Sequence, residues 1–234
     1  MVIFFDIDET LINQREAERA AAHALLAAYS EVLEGVFSVP ELCRAWRGLR
    51  EKHARPFFAG EISLQEQRRR RIRELFGRSG AHLSPTEADR AFDFYERHYR
   101  RSWTLFDDVL PSLQAIQGYR CGIISNGSTA QQTLKLLQTG IDRYFDIVVI
   151  SEDAGAAKPQ REIFLEACRQ SGSPAHGCIH VGDRLDHDAL ASRAAGMRPF
   201  WLDRRNRRCD AGVPVEVIGS LNELSWRLQD RIAV

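Results

Sequence analysis

From Phe106 onward the sequence alternates between short apolar runs and stretches of helical spacing, and few folds accommodate that rhythm. Residues 120–124, 145–150, 178–181, 198–202 and 215–218 read as strands. Residues 110–116, 129–138, 162–170 and 188–195 read as the helices between them, with Gly140 closing the second and Ser220 and Glu223 capping a last one. Strands separated by helices pair in parallel and are covered on both faces. The expected fold class is α/β, a Rossmann-like three-layer core around a parallel sheet.

One further strand stands apart at the N-terminus. Val2-Ile3-Phe4-Phe5 runs straight into Asp6-Ile7-Asp8-Glu9-Thr10. Residues two apart on an extended chain share a side, so Asp6 and Asp8 are presented together as the strand ends. Like charges held close call for a cation or a shared proton. A strand followed by an acidic turn gives the same local pattern, so the rest of the chain has to decide.

The intervening stretch is helical. Residues 15–37 place Ala20, Ala24, Leu25, Ala28 and Leu33 near helical spacing, and Pro40 opens a second helix with Leu42, Trp46 and Leu49. Ser63 with Glu66 is a capping box before an Arg-rich helix bearing Leu64, Ile72, Leu75 and Phe76; Ser84 with Glu87 repeats it ahead of Phe92, Tyr95 and Tyr99. The expected division is a Rossmann-like core from residues 1–14 and 105–234, with an inserted all-helical domain at 15–104.

Composition narrows the function classes. With 32 basic and 32 acidic residues the charge is balanced, which argues against nucleic acid or a membrane surface as partner. Only three basic residues are lysine: Lys52, Lys135 and Lys158. Cys43, Cys121, Cys168, Cys178 and Cys209 are odd in number and lack C-x-x-C spacing, as expected of reduced thiols in a cytoplasmic protein. The N-terminal apolar run meets Asp6 too early for a signal peptide, and no stretch approaches the roughly 20 apolar residues of a membrane span.

In a doubly wound sheet, ligands sit beyond the carboxyl ends of the strands. Four strands here lead there to Asp6 and Asp8, to Ser125, to Lys158 after a short loop, and to Asp183. Carboxylates for a hard cation, one ammonium and one hydroxyl suit a phosphoryl group. Taken singly, each has a bland reading: a turn at Ser125-Asn126-Gly127, a solvated Lys158, a helix cap at Asp183, first-turn dipole complementarity at Asp188.

Together, in this order, the motifs Asp6-x-Asp8-x-Thr10, Ser125-Asn126-Gly127, Lys158-Pro159 and Gly182-Asp183 with Asp188 resemble those of the haloacid dehalogenase superfamily of phosphohydrolases. The likeness spans essentially the whole chain, and the helical insert is similar to the cap of the subfamily that includes phosphoglycolate phosphatases, sugar-phosphate phosphatases and nucleotidases. The resemblance implies Asp6 as nucleophile, Asp8 as acid and base, and Mg2+ held by Asp6, Asp183 and the Asp8 carbonyl. Ser125, the Asn126 amide and Lys158 would bind the phosphoryl group, with Thr10 ordering the loop within the substrate-binding set and Asp188 supporting the metal from behind. The implied partner is a small phosphate ester, bound by a monomer or homodimer.

Rival readings are a sugar-phosphate mutase, a dehalogenase and a silent binding module. Dehalogenases resembling this chain lack the second aspartate, because a halide needs no proton, and a silent module would be expected to have lost Asp6, Lys158 or Asp183. Glu9 stands where many relatives have glycine, and Arg184 where many have serine. In the cap, one of Arg68–Arg71 is expected to turn inward, and Arg47, Arg50, His53 and Arg55 are either surface charge or a receiver for a second anionic group. The loop 203–212, with Arg204, Arg205, Arg207 and Arg208, is expected to be solvated. No role is assigned to His23, His82, His98, His176, His180 or His187.

Overall fold

The structure is a computed structural model, and it describes residues 1–206 and 214–229. Strand β1 (Val2–Phe5) is followed by four long helices, α1 (Gln14–Ala28), α2 (Val39–Phe58), α3 (Leu64–Gly77) and α4 (Pro85–Arg101). The alternation then follows: α5 (Val109–Ala115), β2 (Arg120–Ser125), α6 (Thr129–Thr139), β3 (Ile147–Ile150), α7 (Arg161–Ser171), β4 (Cys178–Gly182), β5 (Arg198–Leu202), β6 (Glu216–Ile218) and α8 (Asn222–Gln229). The chain divides into two compact units, Met1–Asn13 with Thr104–Val234, and Gln14–Trp103.

The first unit holds one parallel sheet of order β3-β2-β1-β4-β5-β6. The order reverses beside β1, which pairs with β2 on one side and β4 on the other, Phe5 lying level with Ile123 and Val181. That reversal is where such sheets open a crevice for ligands. Every residue of β1 is buried, and Phe4, Ile124, Val149, Ile163 and Phe164 pack into one core cluster. Gly122 is dictated by that packing: a Cβ there would stand 2.6 Å from the Phe4 ring and 3.0 Å from the Ile147 carbonyl.

The second unit is a ring of four helices, α1 against α2 and α4, and α3 against α2 and α4. Trp46 and Tyr95 meet at 4.3 Å between ring centroids, and Tyr29 stands edge-on to Phe76 at 5.1 Å. Ser38 with Glu41, and Ser84 with Glu87, form complete capping boxes. At Ser63 only half forms, because the Glu66 carboxylate bonds the Arg70 guanidinium instead. Helix 15–37 is also interrupted: α1 ends at Ala28, and Tyr29 leaves helical geometry before a single turn at Ser30–Leu33.

Two other expectations change. The helix expected at 188–195 begins earlier, as a wide π-type turn over Leu185–Leu190, with a regular turn only at Ala191–Ala194. In the loop expected to be solvated, Arg204 is instead anchored, with both terminal nitrogens on Asp108 at 2.7 and 2.9 Å, one also on the Thr10 carbonyl at 2.8 Å, and the guanidinium 4.0 Å above the Phe106 ring. Arg207, Arg208 and Cys209 lie outside the described residues. Among the described residues, no helix is long and apolar enough to cross a membrane.

Candidate active site

Asp6 leaves the end of β1 with its N–H on the Val181 carbonyl at 3.0 Å, which seats it between the strands on either side. The Lys158 ammonium lies 2.6 Å from Asp6 Oδ1 and 2.6 Å from Asp188 Oδ1, all three side chains being buried. Asp6, Asp183 and Asp188 each offer a carboxylate oxygen, all within 4.8 Å of one another. Asp183 is half-buried, and its carbonyl accepts from the Trp201 indole at 3.0 Å.

Asp188 is engaged through both of its carboxylate oxygens. Besides Lys158 it accepts from buried His180 Nε2 at 3.1 Å and from the Arg184 N–H at 3.0 Å. It occupies the place of a side chain on Gly182, where a Cβ would fall 2.3 Å from Asp188 Cγ. Glycine is thus required for room rather than for backbone freedom.

The electrostatics follow from crowding. Burial pushes the Asp6 carboxyl up to about 6, with repulsion from Asp188 and Asp8 adding to it and Lys158 only partly offsetting it. Burial also opposes charge on Lys158, but Asp188 and Asp6 outweigh it and raise the ammonium above its ordinary value. Asp188, desolvated yet bonded to Lys158 and His180, is held well below the carboxylate range. Burial holds His180 down, which keeps it neutral, with Nε2–H donating. Three carboxylates against one ammonium leave excess negative charge, and the donors are hard oxygens, the set that a Mg2+ ion fits.

Asp8 does not join that cluster through its side chain. Its Oδ1 meets the Lys135 ammonium at 2.5 Å and its Oδ2 accepts from Gln132 Nε2 at 3.2 Å, both partners lying on α6. Gln132 also donates to Ser125 Oγ at 2.9 Å and to the Asn126 carbonyl at 3.0 Å, tying the ends of β1 and β2 together. The Asn126 side chain is spent on the Lys158 backbone, donating to its carbonyl at 2.9 Å and accepting its N–H at 2.7 Å. Asn126 therefore fixes the lysine loop with its side chain.

Thr10, expected in the substrate-binding set, is fully buried and offers a ligand no surface; its hydroxyl has no hydrogen-bond partner among the described residues. Glu9 takes a left-handed conformation, φ 64°, a region that favours glycine, and its carboxylate accepts from Arg205 at 3.1 Å. Beside the site, Glu9, Asn13, Phe106, Asp183, Leu202, Arg204 and Arg205 line a cavity of about 210 Å³. In the helical unit, Arg47 and Arg50 converge on buried Glu18 at 3.2 and 3.1 Å, and the arginine that turns inward is Arg71. His53 bonds Glu74 at 2.9 Å.

The profile of the haloacid dehalogenase-like hydrolases matches residues 1–196, taking in β1, β2, β4 and all four motifs. The chain belongs to that family of hydrolases. A glyceraldehyde 3-phosphate phosphatase of Methanopyrus kandleri is 31% identical to this hydrolase over 83% of the chain and 80% of that protein. The Escherichia coli pyrimidine 5'-nucleotidase YjjG is 41% identical over 50% of this chain and 53% of its own length. Among solved structures, the 2-haloacid dehalogenase of Pseudomonas syringae superposes with a TM-score of 0.70 at 26% identity over 98% of both chains.

Sequence reasoning passed over Gln132, Lys135 and His180. Lys135 carried a signal, as one of three lysines in an arginine-rich chain. His180 carried a weaker one, alternating with Gly182 on the strand that leads to Asp183.

Proposed function

We propose that this hydrolase is a phosphatase of small phosphorylated metabolites, acting through covalent attack by Asp6. The observation that carries the reading is the Lys158 ammonium between Asp6 and Asp188, where the carboxylate of Asp183 also converges. A phosphoryl group needs cationic partners for its oxygens and an anionic nucleophile at once, and this arrangement supplies both. The two phosphate-ester-cleaving relatives agree with it.

A carboxylate oxygen of Asp6 attacks phosphorus, the bond to the leaving oxygen breaks, and that oxygen takes a proton from Asp8. Water then attacks the aspartyl-phosphate, Asp8 accepts its proton, and the bond to Asp6 breaks, releasing phosphate. Asp8 alternates between two protonation states in the cycle, and Lys135 and Gln132 hold its carboxylate in place. Ser125 and the Asn126 N–H are assigned to the phosphoryl oxygens, Lys158 to charge neutralisation.

The residues proposed to hold Mg2+ are Asp6 and Asp183 with the Asp8 carbonyl; when bound, the ion neutralises charge on phosphoryl oxygens. Asp188, with both oxygens already engaged, acts by orienting Lys158. Residues 15–104 are proposed as the cap that selects the leaving group, in a cytoplasmic enzyme.

The likeness to a dehalogenase supports a second reading, halide displacement by Asp6. Asp8, held by two side chains of its own, favours phosphate, since a departing halide needs no proton. The deciding experiment is phosphate and halide release from sugar phosphates, nucleoside monophosphates, phosphoglycolate, an aryl phosphate and 2-chloropropionate, with and without Mg2+. Mg2+-dependent phosphate release alone supports the phosphatase; halide release alone overturns it.

A further inference from the structure

Each of the four helices of the second unit sends polar or aromatic groups to one region of the bundle interior. Glu18 comes from α1, Trp46, Arg47 and Arg50 from α2, Gln67 and Arg71 from α3, and Phe92 and Tyr95 from α4. Bundle interiors are apolar unless they hold something, and polar side chains converging from facing helices are how bundles build ligand sites.

Arg71 is the decisive member. It is 8% exposed, its guanidinium lies 4.1 Å over the Trp46 ring and 5.6 Å from Phe92, and its Nε is buried with no hydrogen-bond partner. Among the described residues no carboxylate pairs with it, since the Glu18 oxygens go to Arg47, Arg50 and Gln14, and Glu96 takes Arg68 and Arg100. Gln67, one helical turn away and 6% exposed, likewise leaves Oε1 buried and unbonded. Burial pushes the Arg71 guanidinium down to about 10, yet it stays charged at neutral pH. The field of Glu18, itself spent on Arg47, Arg50 and Gln14, partly offsets that charge, and a buried charge with no direct counterion is costly to leave bare.

We infer that the interior of this helical bundle is a binding site for a small oxyanion, a carboxylate or phosphate group, received by Arg71 over the Trp46 ring. Arg47 and Arg50, with side chains 34% and 43% exposed, form the open edge by which an anion enters, and they keep Glu18 neutralised so that it does not repel one. Arg71 supplies a planar fork whose orientation the stacking on Trp46 fixes in advance. The inference stands on the helical unit alone and does not depend on the phosphatase reading.

The site carries its own reporter in Trp46. Inorganic phosphate and malonate are titrated separately into the whole protein at constant ionic strength while tryptophan fluorescence is followed, beside Trp46→Phe, Arg71→Met and Arg71→Lys. Saturable change with either anion, absent in Trp46→Phe and shifted to about tenfold or weaker affinity in Arg71→Met, is expected, and the stronger anion names the ligand class. Phosphate held only by the core site would leave Trp46 silent. Arg71→Met substitutes a well-packed apolar chain; should it not fold, Arg71→Lys decides by binding more weakly than wild type. No saturable Trp46 response, or equal affinity in the folded Arg71 variants, overturns the inference and leaves Arg71 as packing.

Discussion

Lys135 Nζ lies 2.5 Å from Asp8 Oδ1, although 127 residues separate the two in sequence. Lys135 is 1% exposed, so its charge is committed to the end of β1. The contact explains how α6 bears on chemistry that it does not touch.

Lys135→Met should therefore damage catalysis selectively. Leaving groups of high pKa need Asp8 correctly placed, and kcat for a sugar phosphate should fall about 10²-fold or more. For an activated aryl phosphate the fall should be several-fold smaller, and Lys135→Arg should recover much of the difference. Steady-state kinetics on the two esters reads this directly; equal losses would reduce Lys135 to a packing residue.

Gly182→Ala should break the site from behind. The new Cβ occupies the place of Asp188, and displacing that carboxylate releases the orientation of Lys158. Overpacking of this kind costs about 1–3 kcal/mol. Activity should fall further than stability, and thermal melting beside kcat separates the two.

The metal-free protein should lose stability as pH rises from about 4 to about 6, through Asp6. Its folded-state value is raised from 3.8 to about 6, so over that interval the unfolded chain releases a proton that the folded one keeps. Relative to Asp6→Asn, wild type should weaken by about 3 kcal/mol across the interval and level off above it. Urea denaturation at several pH values measures the difference, and Mg2+ should diminish it.

Much of this was legible in advance, and the misses have physical reasons. Strand ends are local, so Asp6, Ser125 and Asp183 follow from an apolar run meeting a polar residue. Contacts between a helix face and a distant strand end are not local, which hid Lys135 and Gln132. Arg204 read as loop charge because nothing nearby in sequence announces Asp108 or the Phe106 ring. Glu9 stood out in the sequence only as a residue in a glycine's usual place, and its φ of 64° makes that a matter of backbone geometry.

Glu9→Gly accordingly should stabilise the protein. A non-glycine residue at φ 64° carries about 1 kcal/mol or more of strain, and the exposed pair with Arg205 returns less than that. The urea midpoint should rise with kcat little changed. A lower midpoint would mean that the Arg205 pair, not the strain, governs this loop.

The most direct test of catalysis by Asp6 is to trap its intermediate. The Mg2+-loaded enzyme is mixed with an activated aryl phosphate, quenched in acid within milliseconds to seconds, and its peptides are weighed. A hydroxylamine-sensitive phosphoryl group on the peptide bearing Asp6, absent from Asp6→Asn together with turnover, is the expected result. Phosphate release by Asp6→Asn at the wild-type rate would contradict nucleophilic attack by Asp6.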